Sequence, residues 1–208
     1  MYSVLAFGYE FLSEFIPFFI LLMMFRRAKG KYTAPFSKLH YALPILFALY
    51  IMAVYHVTGA GTVYDAMNIK FAFVLERINL VPFSNSINII GYALNVVMFF
   101  PFGFLAPLIW KNMRRYSRVL IAGFGFSLLI ELSQLLCLRG TDVDDLIMNT
   151  LGALIGFLLY KAGVRLTKSR YQLDDVDTKE LPTYILALYL GRCLLFNQLG
   201  LINLVYGY

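Results

Sequence analysis

Between Ser127 and Gly156 the sequence SLLIELSQLLCLRGTDVDDLIMNTLGALIG sets Arg139, the carboxylates Glu131, Asp142, Asp144 and Asp145, and the amides Gln134 and Asn149 between two apolar runs. Each residue type brings a definite chemistry. The guanidinium of Arg139 suits phosphate or carboxylate, which it can grip through two parallel N–H donors. Asp142, Asp144 and Asp145 offer the oxygen ligands a hard divalent cation prefers and are the candidate metal residues. Glu131 and Asp145 are candidate general acids or bases. Only 14% of the chain is charged, and a charge at the centre of a membrane helix costs about 2.5 to 3.5 kcal/mol. A cluster this dense therefore asks for a reason. No nucleophile motif, phosphate-binding loop or histidine and cysteine metal set accompanies it.

The elements that hold these residues follow from composition. The chain has 208 residues, 60% of them apolar, and a mean hydropathy of +0.71. Soluble domains contain roughly 45 to 50% apolar residues, and several stretches here are long enough to cross a bilayer core. The formal charge of +6 is read as basic loops that set orientation in the membrane, with no nucleic-acid partner. Cys137 and Cys193 lie in apolar surroundings without metal or redox spacing and read as packing residues. The first apolar stretch lacks a preceding basic region and a small-residue cleavage site, so it reads as a retained helix.

Five spans are expected, at about Tyr2 to Met24, Leu39 to Val57, Ile87 to Trp110, Val119 to Leu138 and Asp145 to Tyr160. Glu10 and Glu14 share a face of the first, and His56 ends the second. Met67, Phe71, Val74 and Leu75 recur at helical spacing, which predicts an amphipathic helix at the membrane surface over Asp65 to Leu75. Ser84, Asn85 or Ser86 would cap the third span. The fold class is thus all-α: a polytopic transmembrane bundle of five core helices plus the amphipathic segment. Residues 1–170 form the membrane domain, 171–180 a polar, solvated linker, and 181–208 an apolar segment that spans as a sixth helix or lies at the interface.

Helical geometry then aligns the polar residues. Asn88, Tyr92, Asn95 and Phe99 fall on one face of the third span; Ser127, Glu131 and Gln134 form a stripe on the fourth, and Asp145, Asn149, Gly152 and Gly156 on the fifth. The two glycines make a close-packing surface. Thirteen of the eighteen basic residues fall in the loops after spans one, three and five, which places the N-terminus and the Arg139 turn on the extracytoplasmic side. With a rise of about 1.5 Å per residue, Glu131 lies about 12 Å below that turn and Asn149 about 6 Å below Asp145. If the three faces converge, a polar pocket opens outward.

INLVPF (Ile78 to Phe83) and three ordered motifs support a family resemblance. Asn95, Phe99, Pro101, Gly103 and Phe104 fit an NxxxFxPxGF helix; Ser127, Glu131 and Gln134 fit SxxxExxQ; Arg139, Asp142, Asp144, Asp145, Asn149 and Gly152 fit RxxDxDDxxxNxxG. Together they resemble the VanZ-like family, with the motifs spanning residues 79–160. The resemblance implies a bacterial cell-membrane protein of a family named for lowered susceptibility to teicoplanin, a glycopeptide with a lipid tail.

Three functions then stand open, with membrane lipids as the surroundings in each. The first is a binding factor that alters how a lipid-tailed glycopeptide meets the envelope, through Asn95, Glu131, Gln134, Arg139, Asp142, Asp144, Asp145 and Asn149. The second is an enzyme on a lipid or lipid-linked cell-wall precursor, with a divalent cation as the one conceivable cofactor. The third is a transporter with Glu131 as its proton site. Against all three stands a purely structural arrangement: Arg139 pairing with Asp142 or Asp144, Asp144 capping the fifth span, and Glu131, Gln134, Asn95 and Asn149 satisfying one another.

Overall fold

The computed structural model describes residues 2–30, 37–67, 78–84, 88–137, 139–167, 173 and 176–195. In lipid, backbone N–H and C=O groups must be satisfied within the segment, so long apolar runs become helices. The runs here form α1 (Tyr2–Gly30), α2 (Leu39–Thr58), the short α3 (Val63–Met67), α4 (Ile89–Ile109), α5 (Tyr116–Gln134), α6 (Val143–Thr167) and α7 (Glu180–Leu190). Five of them, α1, α2, α4, α5 and α6, are long and apolar enough to cross a membrane. Their outward faces are apolar, with Ile20, Leu94, Ile121 and Leu158 all exposed. The chain is a multi-pass helical membrane protein.

Helix ends depart from the expected ones for local reasons. Asn88 caps α4, its side-chain oxygen accepting the Gly91 N–H at 3.0 Å. Ser84 is spent elsewhere, its hydroxyl donating to Asn79 Oδ1 at 3.0 Å, and Asn85 and Ser86 lie outside the described residues. Asp65 closes a reciprocal cap with Thr62, accepting the Thr62 N–H at 2.8 Å while Thr62 Oγ1 accepts its own at 3.3 Å. Only the first turn of the expected amphipathic helix is described, as α3; residues 68–77 lie outside.

The interior is aromatic. Phe102 stacks on Phe126 with centroids 5.6 Å apart, Phe47 meets Trp110 edge-on at 5.0 Å, and Phe18 meets Tyr184 at 4.9 Å. Of all helix pairs, α4 and α6 pack most closely. A Cβ on Gly103 would run into the Ala153 carbonyl, one on Gly152 into that of Val96, and one on Gly156 into that of Phe100. Val96 and Phe100 advance together with Gly152 and Gly156, so the two helices run parallel in backbone contact, as small-residue faces permit. A two-residue parallel pairing, Ile78 with Thr141 and Asn79 with Asp142, ties the approaches to both helices together.

Within the segment expected to be a solvated linker, the described residues Leu173, Val176 and Glu180 are buried. Leu173 donates its N–H to the Leu108 carbonyl at 3.1 Å and accepts from Arg114 Nη2 at 2.6 Å. Glu180 is fully buried, gripped by Arg26 through two bonds of 2.6 and 3.0 Å and by the Tyr184 hydroxyl at 3.0 Å. The bidentate pair lets the two charges be buried together. At the other end of the segment the π-helical turn Gly191–Leu195 brings Arg192 to Glu10 and Glu14. Ion pairs at both ends therefore hold α7 antiparallel to α1. It is not among the helices long enough to span, and residues 196–208 lie outside the described set.

Candidate functional site

The ends of α2, α4, α5 and α6 surround a cavity of about 600 Å³, lined by Thr58, Asn88, Asn95, Glu131, Gln134, Arg139, Asp145 and Asn149 among others. Six of the eight sequence-derived candidates share it; Asp142 and Asp144 do not. The three faces aligned by helical periodicity thus meet.

Within the cavity wall the polar side chains are hydrogen-bonded. Asn95 Nδ2 on α4 donates to Asp145 Oδ1 on α6 at 2.5 Å. Glu131 Oε2 on α5 accepts the Asp142 N–H at 3.2 Å, and the Glu131 carbonyl accepts from the Thr141 hydroxyl at 3.1 Å. Gln134 Nε2 donates to the Thr58 carbonyl at 3.0 Å, and Asn149 Nδ2 donates to Ser127 Oγ at 2.9 Å. The idea that Glu131, Gln134, Asn95 and Asn149 bond to one another is therefore not met. They face a common space and lean on outside groups. Gln134 Oε1 and Asn149 Oδ1 are buried with no hydrogen-bond partner among the described residues. A buried amide oxygen left without a donor costs about 1 to 3 kcal/mol.

Arg139 stands at the exposed rim. Its Nη1 donates to the Thr58 carbonyl at 2.6 Å, and its guanidinium lies where a side chain on Gly59 would project. Gly59 holds φ at +60°, the left-handed conformation that ends α2, so glycine serves both the turn and the close approach. No ion pair of Arg139 with Asp142 or Asp144 occurs among the described residues. One main-chain carbonyl, Thr58 O, thus collects Gln134 and Arg139 together.

The three aspartates diverge. Asp142, not Asp144, caps α6, its Oδ1 accepting the Asp144 N–H at 3.0 Å, and its Oδ2 accepts from Asn79 at 3.2 Å. Asp144 is buried, with Oδ1 holding the Phe83 N–H at 2.8 Å and Oδ2 the Tyr92 hydroxyl at 2.6 Å. It fastens the loop before α4 to the start of α6. Asp145 alone turns into the cavity. Among the described residues no group of three or more histidine, cysteine, aspartate or glutamate side chains is arranged as a metal site.

Sequence comparison covers these same elements. The family model described as VanZ/LLP1 matches residues 45–166. Protein VanZ of Enterococcus faecium is 30% identical over 119 residues, 55% of this chain and 71% of that protein. The chain belongs to the VanZ/LLP1 family. No solved structure matches it.

The VanZ/LLP1 region contains every cavity residue and leaves out all of α1, the start of α2 and all of α7. Its motif residues divide by role. Asn95, Glu131, Gln134, Arg139, Asp145 and Asn149 line the space; Ser127 and Asp142 hold liners in place, Asp144 fastens the loop before α4, and Gly103 and Gly152 let α4 and α6 approach. Thr58, Asn79 and Tyr92 support the site through contacts far away in sequence, which helical periodicity does not show.

Proposed function

We propose that this VanZ-like protein binds the polar head group of a lipid-anchored ligand in the cavity, and thereby contributes to teicoplanin-type resistance or envelope modification in a bacterial cell membrane. The observation that carries this reading is the cavity itself, which gathers the carboxylate residues Glu131 and Asp145 and the amide residues Asn95, Gln134 and Asn149 in its wall, with the Arg139 guanidinium at its rim. Acceptors this dense call for a ligand rich in donors, such as sugar hydroxyls or an amine, while Arg139 suits a phosphate or carboxylate at the entrance. Buried polar groups are otherwise nearly always satisfied. The basic residues Arg27, Lys111 and Arg165 sit at the opposite helix ends, which supports an opening toward the extracytoplasmic side.

The test is a glycopeptide-susceptible Gram-positive host expressing the wild type, Arg139→Ala or Asp145→Ala at matched membrane abundance. Wild type is expected to lower teicoplanin susceptibility and reduce drug accumulation at the cell surface, and both variants to lose the effect. Protection by both variants equal to wild type would remove the cavity from the function. A second reading, an enzyme on a lipid-linked cell-wall head group, draws on Glu131 and Asp145 lining one cavity, where one could act as acid and the other as base. Turnover of a lipid-linked precursor by purified protein, lost in Glu131→Gln, would favour it.

A further inference from the structure

A second cluster of charges joins Glu10, Glu14 and Arg192, outside the matched family region, to His56 and Ala60 within it. Arg192 Nη1 contacts Glu10 Oε1 and, at 2.9 Å, Glu14 Oε1, while its Nε donates to the Ala60 carbonyl at 2.8 Å. His56 Nδ1 meets the two oxygens of Glu10 at 2.9 and 3.0 Å. Glu14 is 1% exposed, and its Oε2 has no hydrogen-bond partner among the described residues. One arginine thus faces two glutamates.

Beside it is a cavity of about 250 Å³ between α1 and α2, bordered by Glu10, Glu14 and His56 on the polar side and by Phe11, Met52 and Ala53 on the apolar side. Its lining is almost wholly apolar apart from the two carboxylates and the imidazole, and a charge in such surroundings is stable only when paired. A cationic N–H donor satisfies Glu14 Oε2 beside the one arginine that the two glutamates share; a quaternary ammonium, having no N–H, does not.

We propose that this cavity is a second ligand site, which takes the primary ammonium group of a singly charged amphiphile against Glu14 and runs its alkyl tail along Phe11, Met52 and Ala53. The site is built by α1, α2 and the π-helical turn after α7, and it stands whether or not the head-group cavity binds as proposed. Val57 borders both cavities.

Saturable binding of radiolabelled dodecylamine to the purified full chain in a non-ionic detergent tests it. Wild type is expected to bind, with unlabelled dodecylamine displacing the label at concentrations at least tenfold below dodecanol or dodecyltrimethylammonium. Glu14→Gln is expected to bind at least tenfold more weakly while eluting as a single species on gel filtration, and Glu131→Gln to bind like wild type. Wild-type affinity in a folded Glu14→Gln, or equal displacement by dodecanol, overturns the proposal. Should Glu14→Gln aggregate, Ala53→Trp decides, since it fills the cavity and leaves the carboxylates alone: a tenfold loss supports the site and unchanged affinity refutes it.

Discussion

Asn95 Nδ2 donates to Asp145 Oδ1 at 2.5 Å, joining α4 to α6 at the wall of the main cavity. The bond fixes one Asp145 oxygen and leaves the carboxylate presented to the interior. It also lies on the helix pair whose backbones touch through Gly152 and Gly156, so the position of Asp145 is set by rigid elements and not by a loop.

Asn95→Asp should therefore set two carboxylates against each other and lower stability by about 1 to 3 kcal/mol. Thermal unfolding in detergent measures this. The double variant Asn95→Asp, Asp145→Asn restores a donor opposite an acceptor and should recover most of the loss; additive losses would show that the two side chains are not coupled.

The close approach of α4 and α6 makes its own prediction. Gly156→Leu pushes a side chain into the Phe100 carbonyl and should cost about 3 kcal/mol or abolish the folded species, as overpacking does. Gly125→Ala, where a Cβ meets nothing within 4 Å, should be neutral or stabilising by up to about 1 kcal/mol. Gel filtration and melting temperature of the two variants check the contrast.

Glu180 is buried with Arg26 and Tyr184, so Glu180→Ala strands a cation in the interior and should destabilise by about 3 to 5 kcal/mol. Replacing both partners, Arg26→Leu with Glu180→Leu, should restore much of that loss. Limited proteolysis of the segment before α7 reports the same event, since undocking exposes residues that are now held by Leu108 and Arg114.

Much of the cavity was legible because it obeys helical periodicity: the stripes through Asn95, Glu131 and Asn149 are properties of single helices, and three such stripes in lipid have few places to go but inward. The division of labour among the aspartates was not. Asp144 is occupied by Phe83 and Tyr92 and Asp142 by Asn79, contacts that cross 52 to 63 residues and leave no local pattern. Glu180 misled for the same reason. Its polar neighbours, DDVDTKE, resemble a solvated linker, and only the arrival of Arg26 from α1 makes burial favourable. Glu10 and Glu14 at helical spacing, with Arg192 inside an apolar segment, did carry a signal, because unpaired charges there demand partners.

The head-group cavity is tested most directly by a structure solved from a native membrane extract at a resolution that shows ordered ligands. A bound polar group with donors in hydrogen-bonding reach of Gln134 Oε1 and Asn149 Oδ1, facing Glu131 and Asp145, is the expected result. A cavity that holds water alone, with both amide oxygens satisfied by it, would contradict the assignment.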